Sequence, residues 1–317
     1  MKKYLRRLLP EKKTFTGVDI GTEEIKAAEI RITDGYPEVA SLRRLPSPPG
    51  VWTDNFDEES LVQCLKELCR PNCREVITCI GGEKAVSRIV RLPRLNEKEL
   101  WSAARFEIEK FVPTPVDQLV IRCIRLGRTV NFSANKQAGG SRDDGSAPKT
   151  EDLLILAVPL ATVYQYHGIF SRAGFTLAAV DLQAFALWRV FGRDTQGTAA
   201  LADIGARTSH FVLLRDGLIR FIRHLPAGSE NISECIKELQ RSLDYFTRHE
   251  DISAEKVVFS GRLGNFRELN EELQQNPGIG SDAGAPVVDF TAGVTYDPAF
   301  AVSVGLALRE VSGNVIV

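Results

Sequence analysis

Short apolar runs alternate with amphipathic stretches along the chain from residue 14 onward, and this alternation predicts an α/β protein. In the first part of the chain, the apolar runs predict strands at 15–20, 24–32, 75–81 and 177–181. Apolar residues recur at helical spacing over 57–69, 163–173 and 185–191. Because the second strand follows the first closely, we expect the two to form a hairpin.

The same kind of pattern starts again after residue 197. Apolar runs predict strands at 199–204, 209–215, 218–224 and 257–260. The dipeptide Asp216-Gly217 between two of these runs is a strong hairpin signal, because both residue types tolerate a positive φ. Helical spacing predicts helices at 232–248, 266–275 and 301–309. We therefore expect a second lobe over residues 199–317, with its last helix returning toward the first lobe.

Residues 85–161 show a different order of elements. A predicted strand is followed by a helix that begins after Asn96, a good N-cap residue, and that ends before the segment Pro113-Thr-Pro115. Two further strands follow, and the residues between them, 127–150, are rich in Gly, Ser, Asn and Asp, which predicts a flexible loop. This strand-helix-strand-strand order predicts an inserted interaction subdomain.

The insertion divides the first lobe into residues 14–84 and 162–198. Residues 1–13 precede it as a basic segment with three interleaved leucines. Such a segment is either a solvated terminus, which we favour, or a short helix on an anionic membrane surface.

Composition and charge narrow the function classes. Lys and Arg total 40 and Asp and Glu total 41, a balance that argues against a protein that coats nucleic acid. No apolar run approaches the roughly 18 residues of a membrane-spanning helix, and no secretory signal follows Met1, so we expect a cytoplasmic protein. The six cysteines form no CxxC pair and the four histidines lie far apart in sequence, which argues against a zinc site and against a hydrolase triad.

Two segments carry the chemistry, and they resemble each other. Each predicted strand ends in Asp-Ile-Gly, at Asp19 in the first lobe and at Asp203 in the second, and each is followed by another strand. A glycine turn presents backbone N–H groups to an anion, and an aspartate beside it can hold a hydrated Mg²⁺. One such turn is weak evidence, but two that each open a lobe predict a phosphate clamp. This is the phosphate-binding arrangement of the actin, sugar-kinase and chaperone ATPase superfamily.

Within that superfamily, the chain resembles the PilM family of type IV pilus assembly, which is related to the division protein FtsA. The resemblance covers nearly the whole chain, and its most specific part is the run EIEKFVP at 107–113. Its other segments lie at 17–22 with Lys26, 92–93, 97–100, 157–159, 173–174, 180–186, 202–206, 239–243 and 301–308. It implies an actin-like (ribonuclease H-like) two-lobed ATPase fold with an inserted SHS2-type subdomain.

The resemblance also implies roles for single residues around ATP and Mg²⁺. Asp19 and Asp203 are expected to hold the metal through water. The residues expected to bind the nucleotide are Asp19, Gly21, Thr22, Lys26, Asp203, Gly205, Thr208, Gly228, Ser260, Gly261 and Gly264. Asp181 and Gln183 are expected near the hydrolytic water.

Several positions depart from the family pattern. Arg262 and Leu263 interrupt the glycine turn expected beside adenine. Glu23 and Glu24 place two carboxylates near a polyphosphate, which is unfavourable unless Mg²⁺ or side-chain rotation relieves it. Gln183 stands where glutamate is common, and a glutamine orients water but is a poor base. We therefore expect at most a slow ATPase.

For the partner, the resemblance implies the cytoplasmic N-terminal tail of a PilN-type inner-membrane protein. We expect it as an extended peptide in a groove between the inserted subdomain and the first lobe, with Phe106, Phe111 and Val112 as wall residues, and the chain peripheral to the inner membrane. Self-association is left open. The alternatives are the related type II secretion system, a pseudo-ATPase scaffold without productive nucleotide binding, and a small-molecule kinase.

Overall fold

The computed structural model of the protein describes residues 14–33, 35–53, 56–69, 73–82, 84–126, 150–249, 252–273 and 279–311. The basic segment 1–13 lies outside these residues, as does the loop predicted at 127–150 except for Thr150, which is the first residue of a strand. Chain contacts divide the molecule into two compact units, one within residues 1–83 and 163–315 and the other within 84–162.

The described strands are β1 (Thr14–Ile20), β2 (Glu24–Thr33), β3 (Tyr36–Pro46), β4 (Glu75–Ile80), β5 (Val86–Pro93), β6 (Leu119–Arg125), β7 (Thr150–Pro159), β8 (Thr176–Leu182), β9 (Thr198–Ile204), β10 (Ser209–Arg215), β11 (Leu218–Leu225), β12 (Lys256–Gly261), β13 (Gly280–Ala283) and β14 (Asp289–Phe290). The described helices are α1 (Glu58–Leu68), α2 (Glu97–Glu109), α3 (Leu160–Arg172), α4 (Gln183–Leu187), α5 (Ile232–His249), α6 (Phe266–Leu273) and α7 (Ala301–Ala307).

The larger unit contains two mixed sheets. The first has the strand order β14-β3-β2-β1-β4-β8, and the second has the order β11-β10-β9-β12-β13. In each, the strand that ends in Asp-Ile-Gly is a central strand: β1 pairs antiparallel with β2 and parallel with β4, and β9 pairs antiparallel with β10 and parallel with β12. Both are almost entirely buried. The two sheets therefore place their Asp-Ile-Gly ends by the same local topology.

Two glycines allow helix α7 to pack closely on strand β1 and on helix α4. A Cβ at Gly17 on β1 would overlap the backbone of Ser303 and Ala307, and one at Gly305 on α7 would overlap the carbonyl oxygen of Ala186 on α4. Helix α7 thus lies against β1, the strand that carries Asp19. No Cβ separates the neighbouring backbones at these two contacts.

The smaller unit has a three-stranded antiparallel sheet in the order β5-β7-β6. Helix α2 packs on this sheet through Leu100, Ala104 and Ile108. It begins with a capping box: the Asn96 side chain accepts from the backbone N–H of Glu99, and the Glu99 carboxylate accepts from the N–H of Asn96. The predicted order of elements and the predicted helix start are both found.

Four elements differ from the sequence prediction. No strand was predicted at β3, whose residues are mostly exposed or half-buried and so lack a clear apolar alternation. The short strands β13 and β14 were also missed. The single helix predicted at 185–191 is α4 followed by a π-helical turn at Trp188–Gly192. Among the described residues, no helix is long and apolar enough to cross a bilayer.

Candidate functional site

Two buried carboxylates lie at the ends of β1 and β9. Asp19 is 8% exposed and Asp203 is 7% exposed. Lys26 on β2 lies opposite Asp19 in the hairpin register, and its Nζ is 2.9 Å from Asp19 Oδ2. Lys26 is also close enough to Asp203 for the carboxylate charge to contribute to the raised pKa of the lysine. The structure therefore brings together the two aspartates and the lysine that the sequence singled out.

Asp203 is held by two hydrogen bonds from other elements. The Ser260 hydroxyl at the end of β12 donates to Oδ1 at 2.6 Å, and the Gln183 amide at the start of α4 donates to Oδ2 at 2.9 Å. Burial raises the pKa of Asp203, and these bonds and Lys26 oppose that rise without cancelling it. Ser260 and Gln183 thus act directly on Asp203, a role the sequence did not indicate for either.

A tyrosine also faces this region. The hydroxyl of Tyr296 is buried and has no hydrogen-bond partner among the described residues. Burial raises its pKa, and the charge of Asp203 raises it further. An orphaned buried hydroxyl beside a carboxylate is a polar group that a bound ligand or water can satisfy.

The glycine turns after the two strands are tightly built. The Gly21 N–H donates to Glu24 O at 3.0 Å, and the Gly205 N–H donates to Thr208 O at 3.1 Å. Gly228 packs on the second turn, where a Cβ would lie 2.5 Å from the carbonyl oxygens of Gly205 and Ala206. These close backbone approaches explain why residues without side chains occupy Gly205 and Gly228.

The predicted adenine turn follows β12. Gly261 has φ +85°, a conformation that favours glycine, and a Cβ there would overlap the carbonyl oxygen of Ile204 on β9. Gly264 lies in a short 3₁₀ turn at Leu263–Asn265 and has open space around it. Close packing thus requires a glycine at Gly261, whereas a Cβ at Gly264 would meet no neighbouring atom.

A polar cavity of about 430 Å³ opens between the two phosphate-type turns. Thr22 and Glu23 from the first turn and Arg207 from the second line it, together with Ser47, Pro48, Pro49, Gly50 and Val51. Arg207 was not predicted. It could have been predicted from the sequence, because it is a basic residue within the second glycine turn, between Gly205 and Thr208.

The two carboxylates that departed from the family pattern are both neutralised. Glu23 forms an ion pair with Arg262, the residue that interrupts the predicted adenine turn. Glu24 lies 3.6 Å from Arg44, which also pairs with Asp297. The departures at Glu23 and Arg262 therefore compensate each other, and their pair joins turns from different sheets.

Asp181 and Gln183 occupy different environments. Asp181 Oδ2 is 2.7 Å from Arg189 Nη2, and its Oδ1 accepts the Leu182 N–H at 2.8 Å. This ion pair directs the Asp181 carboxylate toward Arg189 rather than toward a substrate. Gln183, in contrast, donates to Asp203 and therefore lies beside one of the two buried carboxylates.

The donor set fits one Mg²⁺ held mainly through water and phosphate oxygens. Among the described residues, no group of three or more His, Cys, Asp or Glu side chains forms a metal cluster. Asp19 and Asp203 offer two carboxylates beside the single positive charge of Lys26, and Mg²⁺ commonly uses one or two carboxylates plus substrate phosphates. A cation there would also favour the charged form of Asp203.

The predicted partner residues lie on the smaller unit. Phe106 is 62% exposed and Phe111 is 47% exposed, whereas Val112 packs partly against the core of that unit. Lys110 Nζ lies 4.5 Å from the Phe106 ring centre, and the Arg88 guanidinium lies 4.7 Å from that of Phe111. Each of the two phenylalanines is therefore an exposed aromatic side chain with a cation over its ring.

Comparison with solved structures supports the fold. A structure described as the PilM-PilN type IV pilus biogenesis complex matches with TM-score 0.77 and 22% identity, over 94% of this chain and 98% of that one. The cytoplasmic domain of EpsL, an inner-membrane component of the Vibrio cholerae type II secretion system, matches with TM-score 0.53 and 12% identity, over 95% and 96%. A Bacteroides thetaiotaomicron protein with an actin-like ATPase fold matches with TM-score 0.51 and 9% identity, over 86% and 91%.

These similarities confirm the actin-like fold. A family model decides between the pilus and secretion alternatives. The model described as "Type IV pilus assembly protein PilM" matches residues 17–239, which include both Asp-Ile-Gly turns and the whole smaller unit. The chain belongs to the type IV pilus assembly protein PilM family.

Proposed function

We propose that the protein is a nucleotide-binding component of type IV pilus assembly that docks the cytoplasmic N-terminal tail of a PilN-type inner-membrane protein. The proposal of nucleotide binding rests on the pair of buried carboxylates, Asp19 and Asp203. They lie at the ends of two strands that have the same pairing in their sheets and that are followed by glycine turns. Backbone N–H groups and hydroxyls at such turns suit phosphate oxygens. Thr22 and Thr208 supply the hydroxyls.

The same site is better suited to positioning a nucleotide than to hydrolysing it. Bound Mg²⁺ would neutralise phosphate charge, and Asp19 and Asp203 would hold its water ligands. Lys26 would remain charged, since its pKa is raised by Asp19 against the opposing effect of burial. Gln183 can orient a water, and Asp181 is paired with Arg189, so we expect turnover below about 1 per second.

The partner surface is the exposed aromatic pair on the smaller unit. Phe106 and Phe111 offer apolar anchors, and β5 and β6 are the outer strands of its sheet, so an extended peptide could add backbone hydrogen bonds there. The similar solved structure, a PilM-PilN complex, supports a PilN-type tail as the ligand. Such a tail would hold the protein at the inner face of the membrane.

Calorimetry with ATP, with and without Mg²⁺, and with a synthetic tail peptide tests both parts. Asp19→Asn keeps the side-chain shape but removes the charge, so it should weaken MgATP binding by about 10- to 100-fold, as expected for one charge-assisted contact. It should leave tail binding unchanged. Asp289→Asn, an exposed carboxylate on β14, is the matched control.

A pseudo-ATPase scaffold is the second candidate. The Glu23–Arg262 ion pair favours it, because it occupies two side chains beside the proposed nucleotide site. Tail binding by a parent protein that binds no ATP would establish the scaffold and reject the nucleotide role. A parent protein that binds neither would reject both.

A further inference from the structure

A segment that directly follows β3 binds carbonyl groups at the end of β1 and in the turn after it. The Ser47 hydroxyl donates to Gly21 O at 2.7 Å, and the Ser47 backbone N–H donates to Glu23 O at 2.8 Å. The indole N–H of Trp52 donates to Ile20 O at 3.2 Å. Two residues outside the turn therefore hold three of its carbonyl groups.

The matching turn after β9 is bound in the same way, but by backbone groups. The Ser229 N–H donates to Gly205 O at 2.9 Å, and the Arg262 N–H donates to Ile204 O at 2.7 Å. Different segments of the chain thus bind the isoleucine and glycine carbonyl groups of both Asp-Ile-Gly motifs. In the first motif the donors to these two groups are side chains, so the first turn depends on which residues stand at positions 47 and 52.

Binding a carbonyl group also fixes the N–H of the next residue, because the peptide unit is planar and trans and the two groups lie on opposite edges. The bond from Ser47 to Gly21 O therefore sets the direction of the Thr22 N–H, which points away from Ser47. The bond from Trp52 to Ile20 O acts in the same way on the Gly21 N–H, which closes the turn. The outside residues thus determine the direction of the donors in the turn.

Trp52 is itself held in an unusual backbone conformation. Its φ is +68°, in the left-handed region that bulky residues rarely adopt. The indole stacks on the Tyr166 ring of α3, with ring centres 4.4 Å apart and an angle of 8° between the planes, and Phe56 meets it edge-on. A strained residue persists where its surroundings hold it, and such residues cluster at functional sites. These ring contacts fix the indole whose N–H reaches Ile20 O.

The same segment borders the polar cavity described above. Residues 47–51 line this cavity, as do Thr22 and Glu23 of the first turn and Arg207 of the second. Ser47 therefore lies both beside the cavity and in contact with the turn that opens into it.

We propose that Ser47 and Trp52 are positioning residues for nucleotide binding, which hold the Thr22 N–H as a donor to a phosphate oxygen. The inference rests on the proposed nucleotide site and adds to it two residues that act through the first turn. A donor that is already held in place loses little conformational freedom when its ligand binds, so less of the interaction is spent on ordering the turn.

Calorimetry of the full-length protein with MgATP provides the first test. Ser47→Ala removes the hydroxyl that holds Gly21 O, so it should weaken MgATP binding by about 3- to 10-fold, the worth of one neutral hydrogen bond. Ser47→Thr keeps a hydroxyl and should restore most of the affinity. Ser102→Ala on α2 is the matched control, because the Ser102 hydroxyl also donates to a backbone carbonyl, that of Lys98, and its loss should leave the affinity unchanged.

A second variant separates the Trp52 hydrogen bond from its ring packing. Trp52→Phe keeps a ring beside Tyr166 but removes the N–H that donates to Ile20 O, so it should also weaken MgATP binding. Trp188→Phe is the matched control. The Trp188 indole likewise donates to a backbone carbonyl, that of Gly217, and this change should leave MgATP affinity as in the parent.

Hydrogen exchange followed by mass spectrometry provides a second readout, on protein without nucleotide. In Ser47→Ala and in Trp52→Phe, the amides at residues 21–25 should exchange faster than in the parent, and MgATP should slow them again. The turn at 205–208 is the internal reference, because backbone N–H groups that neither change removes bind its carbonyl groups. Its exchange should match that of the parent.

Three results would overturn the proposal. The first is unchanged MgATP affinity in variants whose first turn exchanges faster, since the conformation of the turn would then not matter for binding. The second is weaker binding without faster exchange of that turn, because the residues would then not act through it. The third is a parent that binds no MgATP, which would also reject the nucleotide role. A parent that binds MgATP no more tightly than both variants would reject this inference alone.

Discussion

Asp203 shows how a single residue can favour ligand binding at the cost of stability. Because burial raises its pKa in the folded chain, the folded protein binds a proton there more tightly than the unfolded protein does. Its contribution to the free energy of unfolding is therefore greatest below the unfolded pKa and falls as the pH rises through the folded pKa. At neutral pH the Asp203 charge destabilises the unliganded protein.

Asp203→Asn should consequently raise the melting temperature at neutral pH. The asparagine oxygen can accept from Gln183, and its amide can donate to Ser260, whose hydroxyl rotates, so both present bonds have counterparts. The gain over the parent should shrink as the pH falls from neutral through the raised pKa of Asp203, because Asp203 itself then becomes protonated. Thermal unfolding across this range measures it, with Asp289→Asn as the exposed control. A lower melting temperature at every pH would contradict this account.

Arg207 should distinguish ATP from ADP. It lines the cavity shared by the two turns, and its nearest carboxylate, Glu230, is 3.8 Å away and half exposed. The guanidinium is therefore available to a terminal phosphate. Arg207→Gln should weaken ATP binding by about 10-fold and ADP binding much less. Titrations of both nucleotides measure this, with Arg248→Gln on α5 as control, and equal losses for ATP and ADP would place Arg207 elsewhere.

Among the elements, α7 depends on a glycine that makes a close contact. Gly305→Ala should destabilise the protein by more than about 2 kcal/mol, because the new Cβ meets backbone of α4 that cannot rotate away. Gly168→Ala on α3 is the matched control, since nothing lies within 4 Å of a Cβ there, and it should stabilise by about 0.5–1 kcal/mol. Urea unfolding of both variants checks the pair, and effects of the same sign would refute the packing argument.

The ion pair between Glu23 and Arg262 should couple two turns from different sheets. Glu23→Gln removes a negative charge near the phosphates and should strengthen ATP binding, whereas Arg262→Gln leaves Glu23 unneutralised and should weaken it. Glu23→Gln should strengthen ATP binding more in the Arg262→Gln background, where Glu23 has no arginine partner, than in the parent. Because both side chains are partly exposed, the coupling should stay within about 1 kcal/mol. Additive effects in this cycle would show that the two residues act independently.

The elements that could be predicted from the sequence are those whose own residues form a clear local pattern. The hairpin of β1 and β2, helix α2 and the turn at Asp216-Gly217 were predicted because each has an apolar repeat, a cap or a turn dipeptide. Strand β3 was missed because charged residues such as Arg43 and Arg44 interrupt its apolar residues.

The same distinction between local and long-range features applies to the candidate site. The repeated Asp-Ile-Gly segments located Asp19 and Asp203, because the motif itself is local. The bond from Ser260 to Asp203 spans 57 positions, and the pair of Glu23 with Arg262 joins different sheets, so neither leaves a local pattern. Such contacts follow only from the way the strands are arranged.

At the scale of the whole molecule, partner capture should depend on the smaller unit. Phe106→Ala and Phe111→Ala should each weaken binding of the tail peptide by about 10-fold or more, because exposed aromatic anchors dominate such contacts. Neither change should alter the melting temperature or ATP affinity. Tyr245→Ala, an exposed aromatic on α5, is the control. Unchanged tail affinity in both phenylalanine variants would move the docking surface elsewhere.

The pairing of β5 with β7 brings the two ends of the smaller unit together. Val86, where β5 begins, lies opposite Ala157 near the end of β7, so the chain enters and leaves the smaller unit at neighbouring points. A segment whose ends already meet can be exchanged, shortened or lost with little disturbance to its host. The proposed partner surface can therefore change while the two Asp-Ile-Gly turns of the larger unit stay as they are.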